Sequence, residues 1–399
     1  MANRILLKNS TCRKAFACLA LALFPFIGFG QKQQGNVINI VFTSDAHYGI
    51  TRAKFRGDTN VAGHTVNLAM IRQINTLPSL TLPEDDGIAA GKKIAAVDYL
   101  IETGDISNRM EYPLQSAATS WGQFSKDYFG GVTLKDHSGK PVKFLLAPGN
   151  HDISNAIGFP KAMVPATDPT TMVQIYNLML KPKQPLTNQG YNFNKDKINY
   201  SKNINGIHLM FITLWPDSAE RIWMQKDLEN VPMKTPVIIF THDQPDCEAK
   251  HFTNPVPPYQ IANHSGFQNL LAEHYKEGKT AAKDDGATDV EQRGWVKFLK
   301  LHPNIVAYFH GNSNWNEFYV YEGPDKDVAL NTFRVDSPMK GKYSSKDETK
   351  LSFQLISIDP ANQLLTAREC LWNTNPTDPA QKIIFGKSIT VSLKTGANK

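Results

Sequence analysis

Cysteine is scarce in this chain: there are four in 399 residues, and two of them, Cys12 and Cys18, lie within the first thirty. The remaining pair, Cys247 and Cys370, cannot staple a chain of this size, so a disulfide-built scaffold is excluded and a conventional core must do the work. Also missing is any Lys/Arg-rich run of the kind that tracks a phosphate backbone, which disfavours nucleic acid as a partner. There is no internal repeat and no low-complexity block. The one marked apolar run, Ala15 to Phe29, is short for a bilayer span, which takes roughly twenty residues.

That run follows Arg4, Lys8, Arg13 and Lys14 and ends in Gly28-Phe29-Gly30, ahead of the polar Gln31-Lys32-Gln33. A basic start, an apolar stretch and small residues at its end read as a secretory signal peptide over residues 1–30, so the protein is expected to be secreted or periplasmic, with no stable membrane span after cleavage. Cys18 has no apolar run before it, which argues against lipoprotein processing there. Losing four basic and no acidic residues takes the formal charge from +6 to +2, a nearly neutral mature chain. With 41% hydrophobic and 20% charged residues it is ordinary globular material, enough for one large domain or two modest ones.

Five short polar clusters occur in order: Asp45-Ala46-His47, Gly104-Asp105, Gly149-Asn150-His151-Asp152, Thr241-His242-Asp243 and Gly311-Asn312-Ser313-Asn314. Each follows a short apolar run (Val37 to Phe42, Val97 to Ile101, Val142 to Leu146, Val237 to Phe240, Ile305 to Phe309). The clusters would therefore sit at the C-terminal ends of core strands, where open α/β sheets place their chemistry. Taken singly, each residue has an ordinary explanation as a strand-end polar group or a satisfied core histidine. As an ordered set they point to one dinuclear metal site.

The set resembles the pattern of the calcineurin-like metallophosphoesterase superfamily: D-x-H, then G-D, then G-N-H-D/E, then H, then G-H-x-H. Four blocks match over roughly residues 36 to 359, and the fifth departs, with Asn312 and Asn314 in place of both histidines. The resemblance implies a four-layer α/β/β/α sandwich with a C-terminal β-rich segment, a domain over residues 36–371 and an extension over 372–399. It also implies a hydrolase of small phosphomonoesters or phosphodiesters that uses two divalent ions, Mn²⁺, Fe²⁺ or Zn²⁺, and the signal peptide makes it an exported one. The alternative is a binding protein that keeps the fold without catalysis; His151, no ligand in the superfamily, argues for the enzyme.

Phosphoester hydrolysis needs a nucleophile that exists near neutral pH and a positive environment for the phosphoryl oxygens, and two ions about 3.5 to 4 Å apart supply both. Asp105 is the candidate bridge, because a carboxylate can hold one ion with each oxygen. Asp45 and His47, two apart and so on one face of an extended turn, would bind the first ion. Asn150, through its carbonyl oxygen, and His242 would bind the second. By the resemblance His151 donates a proton to the leaving group, and Asp152 would hold its ring by accepting the other N–H. Asn312 and Asn314 are neutral, weaker donors than imidazole and would shift preference towards oxygen-seeking ions, Mg²⁺ and Ca²⁺ included, and away from Zn²⁺. His310 is expected to point away from the cleft.

Elsewhere, Val66, Met70, Ile71 and Ile74 mark a helix over 64–77, and Met172 to Leu180 and Trp223 to Leu228 mark two more. Residues 153–199 are rich in Pro, Asn and Thr and read as a pocket-shaping insertion or a surface excursion. Asn205-Gly206 signals a tight hairpin, residues 281–292 a solvated loop, and four runs after Gly311 read as strands. Three segments invite a substrate role against a plainer one. Arg52 would clamp a phosphate or lie in a solvated loop. Lys250 and His251 would rim the pocket or be solvated. Arg334 and Asp336 read as a charge pair anchoring the chain.

Overall fold

The computed structural model describes residues 37–108, 115–154, 168–254, 267–275, 289–378 and 380–395. The expected signal peptide, part of the expected insertion (155–167) and most of the expected loop (281–288) lie outside these residues.

In chain order the elements are β1 (Ile38–Thr43), β2 (Thr51–Phe55), β3 (Asp58–Ala62), α1 (Gly63–Ile74), β4 (Tyr99–Glu102), α2 (Ala117–Phe124), β5 (Lys143–Leu146), α3 (Asn150–Ile153), α4 (Thr170–Leu180), β6 (Tyr200–Ile204), β7 (Ile207–Phe211) and α5 (Ser218–Leu228). There follow β8 (Val237–Phe240), α6 (Asp289–Leu301), β9 (Ile305–His310), β10 (Glu317–Tyr321), β11 (Leu330–Arg334), β12 (Ser352–Asp359), β13 (Leu364–Leu371) and β14 (Ile384–Ser392). Two six-stranded sheets result, ordered β14-β13-β12-β1-β4-β5 and β10-β11-β9-β8-β7-β6, with β2-β3 as a separate hairpin.

The period-2 alternation of the apolar runs builds the layers. Ile40, Phe42 and Ile101 of one sheet meet Phe211, Ile238, Phe240, Phe309 and Phe333 of the other in a single buried cluster. The intervening Val41, Leu100, Val237 and Ile239 turn the opposite way, into a cluster with Val66, Met70 and Ile74 of α1 and Trp295 and Phe298 of α6. Strands covered on both faces cannot carry a polar side, which is why these runs are continuously hydrophobic. The result is the expected α/β/β/α sandwich.

The Asn205-Gly206 turn joins β6 to β7 with φ of 48° and 82°, the left-handed pair that a two-residue hairpin requires. The stretch expected as a C-terminal extension contributes β14, the edge strand of the first sheet, antiparallel to β13. Cys247 and Cys370 are both buried and free. Among the described residues no helix is long and apolar enough to cross a membrane.

Candidate metal centre

Strands β1, β4 and β5 run parallel to one another, as do β8 and β9, so in each sheet the chain leaves these strands on one edge. All five polar clusters follow these ends. Asp45, His47, Asp105, Asn312 and Asn314 all have φ between 45° and 62°, a left-handed conformation that costs a non-glycine residue energy and tends to persist where function requires it. Backbone bonds stitch the first two clusters together, Asp45 N–H donating to Gly104 O at 2.9 Å and His47 N–H to Asp105 O at 2.8 Å. The third cluster packs so tightly beneath them that a Cβ on Gly149 would lie 2.8 Å from the His242 ring, so only glycine fits.

Asp105 is at the centre. Its Oδ2 lies 3.6 Å from His47 Nε2 and 3.8 Å from His151 Nε2, while its Oδ1 lies 3.4 Å from His242 Nε2. Asp45 Oδ1 stands 3.4 Å from His47 Nε2, and Asn150 Oδ1 stands 3.2 Å from His242 Nε2. Two donors held about 2.1 Å from one ion at a tetrahedral angle are about 3.4 Å apart, so this spacing is that of ligands sharing ions. Further signs agree. Asp45 Oδ1, His47 Nε2 and Asn314 Oδ1 are buried without a hydrogen-bond partner, a costly arrangement unless a cation satisfies them. The nitrogen and oxygen donors fit divalent transition metals.

Second contacts aim these donors. His242 Nδ1 is 2.8 Å from Thr103 O, so it carries the proton and leaves the Nε2 lone pair facing the centre. Asn150 donates its Nδ2 to Gln268 Oε1 at 3.1 Å, which turns its oxygen towards His242. Gln268 was not foreseen and carries no sequence signal, since it meets Asn150 only through the tertiary fold.

Asp152 does not do what its sequence position led us to expect. Its oxygens accept from the backbone N–H groups of Gly149, Ile106 and Ser107 at 3.0, 3.2 and 2.9 Å. As the third residue of the one-turn α3 it reaches back to cap that turn and braces the loop carrying Asp105, so it holds backbone and not the His151 ring.

The electrostatics are those of a cation site. Burial raises the Asp105 carboxyl, but His242, His151 and His47 outweigh it and hold the group well below its usual range. Burial lowers His242, yet Asp105 and Asp45 bring it up to about 10. His47 is lowered by burial and by Lys340, which outweigh the nearby aspartates. Asp152 is pushed up to about 7 by burial and by the charge of Asp105. An ion and a proton thus compete for His242 Nε2, so ion binding at neutral pH is expected to release a proton. Below the raised value of about 10 the group is protonated, and apparent affinity should climb with pH by up to roughly tenfold per unit. Chelator competition across the neutral range measures this; a flat profile would remove His242 from the ligand set.

Other expected residues lie elsewhere. Arg52 is neither a phosphate clamp nor solvated: it is buried and donates to the carbonyls of Lys54, Pro338 and Ser344, tying the β2-β3 hairpin to the loop after β11. His251 is fully buried against Asp243, away from any rim, and Lys250 pairs with Glu248. Arg334 pairs with Glu317 at 2.7 Å and stacks on Trp315, 3.7 Å from the ring centre, so its anchor is not Asp336. His310 turns away, as expected, with Nε2 2.9 Å from the Tyr319 hydroxyl.

A family model for calcineurin-like phosphoesterases matches residues 38–325. No curated protein matches the chain. Among solved structures, a dimetal phosphatase from Danio rerio aligns over 90% of this chain and 99% of its own, at 9% identity and a TM-score of 0.48. A single-substitution variant of Vps29 from Entamoeba histolytica aligns over 89% and 99%, at 9% identity and a TM-score of 0.31. At such identity and overlap these two neighbours bear on neither site nor activity.

Proposed function

This chain belongs to the calcineurin-like phosphoesterase family, and we propose that it is an exported, metal-dependent phosphoesterase acting on a small phosphomonoester or phosphodiester. The observation that carries the reading is Asp105, a buried carboxylate whose two oxygens face different histidines, His242 on one side and His47 on the other. Such a carboxylate is built to join two cations.

In this reading Asp45 and His47 would hold one ion, Asn150 and His242 the other and Asp105 both, and Asn312 and Asn314 would supply amide oxygens at the edge. When bound, the ions acidify water and neutralise charge on the phosphoryl oxygens. The chain's residues do the rest. His242 and Asn150 are locked by Thr103 and Gln268, so little reorganisation is needed as charge develops. His151 stands at the edge of the centre, where its ring delivers a proton to the leaving-group oxygen. The clustered carboxylates disfavour an anionic substrate until cations are in place, which ties substrate binding to metal loading.

The test is elemental analysis of the purified mature protein together with hydrolysis of chromogenic mono- and diesters in Mn²⁺, Fe²⁺, Zn²⁺, Mg²⁺ and Ca²⁺. Two ions with turnover support the reading. Ions without turnover support a binding protein on the same fold, and no ions would sink the enzyme reading.

A further expectation concerns the departure from the family pattern. Restoring imidazole with Asn312→His and Asn314→His together should tighten ion binding on the order of tenfold or more and shift preference towards Zn²⁺, since imidazole is the stronger donor for that ion. Activity need not rise, because a pocket shaped for amides receives larger rings. Unchanged dissociation constants for Zn²⁺ and Mn²⁺ would show that this turn does not meet the ions.

A further inference from the structure

Beside the metal centre lies a second buried cluster that the mechanism leaves unused. Asp243, next to His242, is fully buried and collects donors from three side chains. Asn312 Nδ2 donates to its Oδ1 at 2.5 Å, Cys247 Sγ lies 3.0 Å from its Oδ2, and His251 Nδ1 makes a close hydrogen bond to the same oxygen. Cys247 and His251 are themselves buried, and Cys247 is held at a left-handed φ of 36°. The far nitrogen of His251 is buried 3.9 Å from Glu248 Oε2, which extends the polar chain away from the centre.

Aspartate, cysteine and histidine are metal-binding types, and these three come together. Their spacing decides against an ion. The ring nitrogens around Asp105 stand 3.4 to 3.8 Å from its oxygens, leaving room for ions between them. Those on Asp243 are in hydrogen-bond contact, which leaves none. Asp243 is an acceptor hub.

That has a consequence for Asn312. A carboxylate taking three donors offers lone pairs only, so the Asn312 atom facing it must be the amide nitrogen. The amide oxygen, on the same carbon, is then turned away from Asp243. The residue's own N–H donates to Asp45 Oδ2 at 2.9 Å, which seats it against the metal centre. A ligating imidazole is fixed by one bond to its other nitrogen, as Thr103 O fixes His242; an amide must be fixed through its NH₂ group. A free amide can flip and present a donor to a cation.

We propose that the buried Asp243, Cys247 and His251 group is a positioning device that locks the Asn312 amide with its oxygen towards the ions. Through it a neutral amide serves where the family pattern has histidine. The inference rests on the two-ion reading above.

The experiment is a double-mutant cycle on ion affinity, with Mn²⁺ dissociation constants for both sites measured by chelator competition on the full-length mature protein. Asp243→Asn can hold the amide in either orientation and should weaken one of the two ions about 10- to 100-fold, the usual worth of a residue that orients a ligand, leaving the other unchanged. Asn312→Ala should weaken the same ion by a similar factor. The double variant should be no worse than Asn312→Ala alone, because Asp243 acts only through that amide. Wild-type constants in Asp243→Asn, or losses that multiply in the double variant, would overturn the proposal. Should Asp243→Asn fail to fold, His251→Leu and His251→Gln decide: the leucine should weaken that one ion and the glutamine, which keeps an N–H donor, should restore it. Equal constants for wild type and leucine, or equal losses for leucine and glutamine, would also overturn it. If the wild-type protein bound no ion at all, the two-ion reading itself would fall.

Discussion

Asp105→Asn is expected to yield a folded protein that retains neither ion and shows no measurable hydrolysis. An asparagine at this position has one oxygen and one nitrogen, so it can face only one of the two histidines with a lone pair. Its oxygen would keep the 2.8 Å bond from the His151 N–H. Its nitrogen would then point a donor at His47, where a cation is to sit. The substitution also removes one negative charge from a buried site that exists to collect two cations. The loss should exceed the roughly 10- to 100-fold cost of removing a residue that merely supports a ligand. The fold should survive, since the loop is held by backbone bonds from Asp45 and His47 and by the Asp152 clamp. Circular dichroism establishes the fold and elemental analysis the ions; wild-type metal content would refute the bridging role.

The second large effect belongs to His151. His151→Ala is expected to keep both ions and lose about 10²- to 10⁴-fold in kcat, the usual contribution of general acid catalysis. The ring stands within reach of the ions, close to His47 and Asp105, but it is the most open of the three histidines. His47 and His242 are 1% and 0% exposed, whereas His151 is 8% exposed and has the longest distance to Asp105 of the three rings, 3.8 Å. Its backbone N–H donates to the Asp105 carboxylate at 2.8 Å, which fixes the ring's place beside the centre. The ring also meets the His47 ring edge-on at 5.2 Å, which steadies it at the entrance to the centre. A leaving group that is already acidic needs no proton, so the loss should shrink for such substrates. Equal losses for acidic and poor leaving groups would show that the ring acts in another way, and a loss of metal would make it a ligand.

The expectations that held share one cause: they rest on local chemistry repeated along the chain. Apolar runs such as Val237 to Phe240 and Ile305 to Phe309 are legible as buried strands because their residues are covered on both faces, and a polar cluster after each run marks its end. Asn205-Gly206 is legible because few other pairs tolerate two left-handed residues. Where the polar side chains would gather was therefore in the sequence, and the shared edge of the parallel strands brings Asp45, His47, Asp105, Asn150, His151 and His242 together.

The misses are of the opposite kind. The β2-β3 hairpin is polar and mostly exposed, and β14 alternates weakly at a sheet edge, so neither has the burial that makes a pattern. Asp152, Arg52 and His251 were given partners by proximity along the chain or by analogy. Their actual partners are backbone amides at 106, 107 and 149, carbonyls at 54, 338 and 344, and a carboxylate eight residues back in the chain.

A side chain's hydrogen-bond partner depends on which backbone groups the surrounding fold leaves unpaired, and that is a property of packed elements. The sequence by itself determined which residue types stand at the strand ends, and with them the class of chemistry. Only the tertiary structure decided which of those groups face one another and which are spent as braces. Gln268 against Asn150, Thr103 against His242 and Asp243 against Asn312 join positions 118, 139 and 69 residues apart, a separation that no local pattern spans.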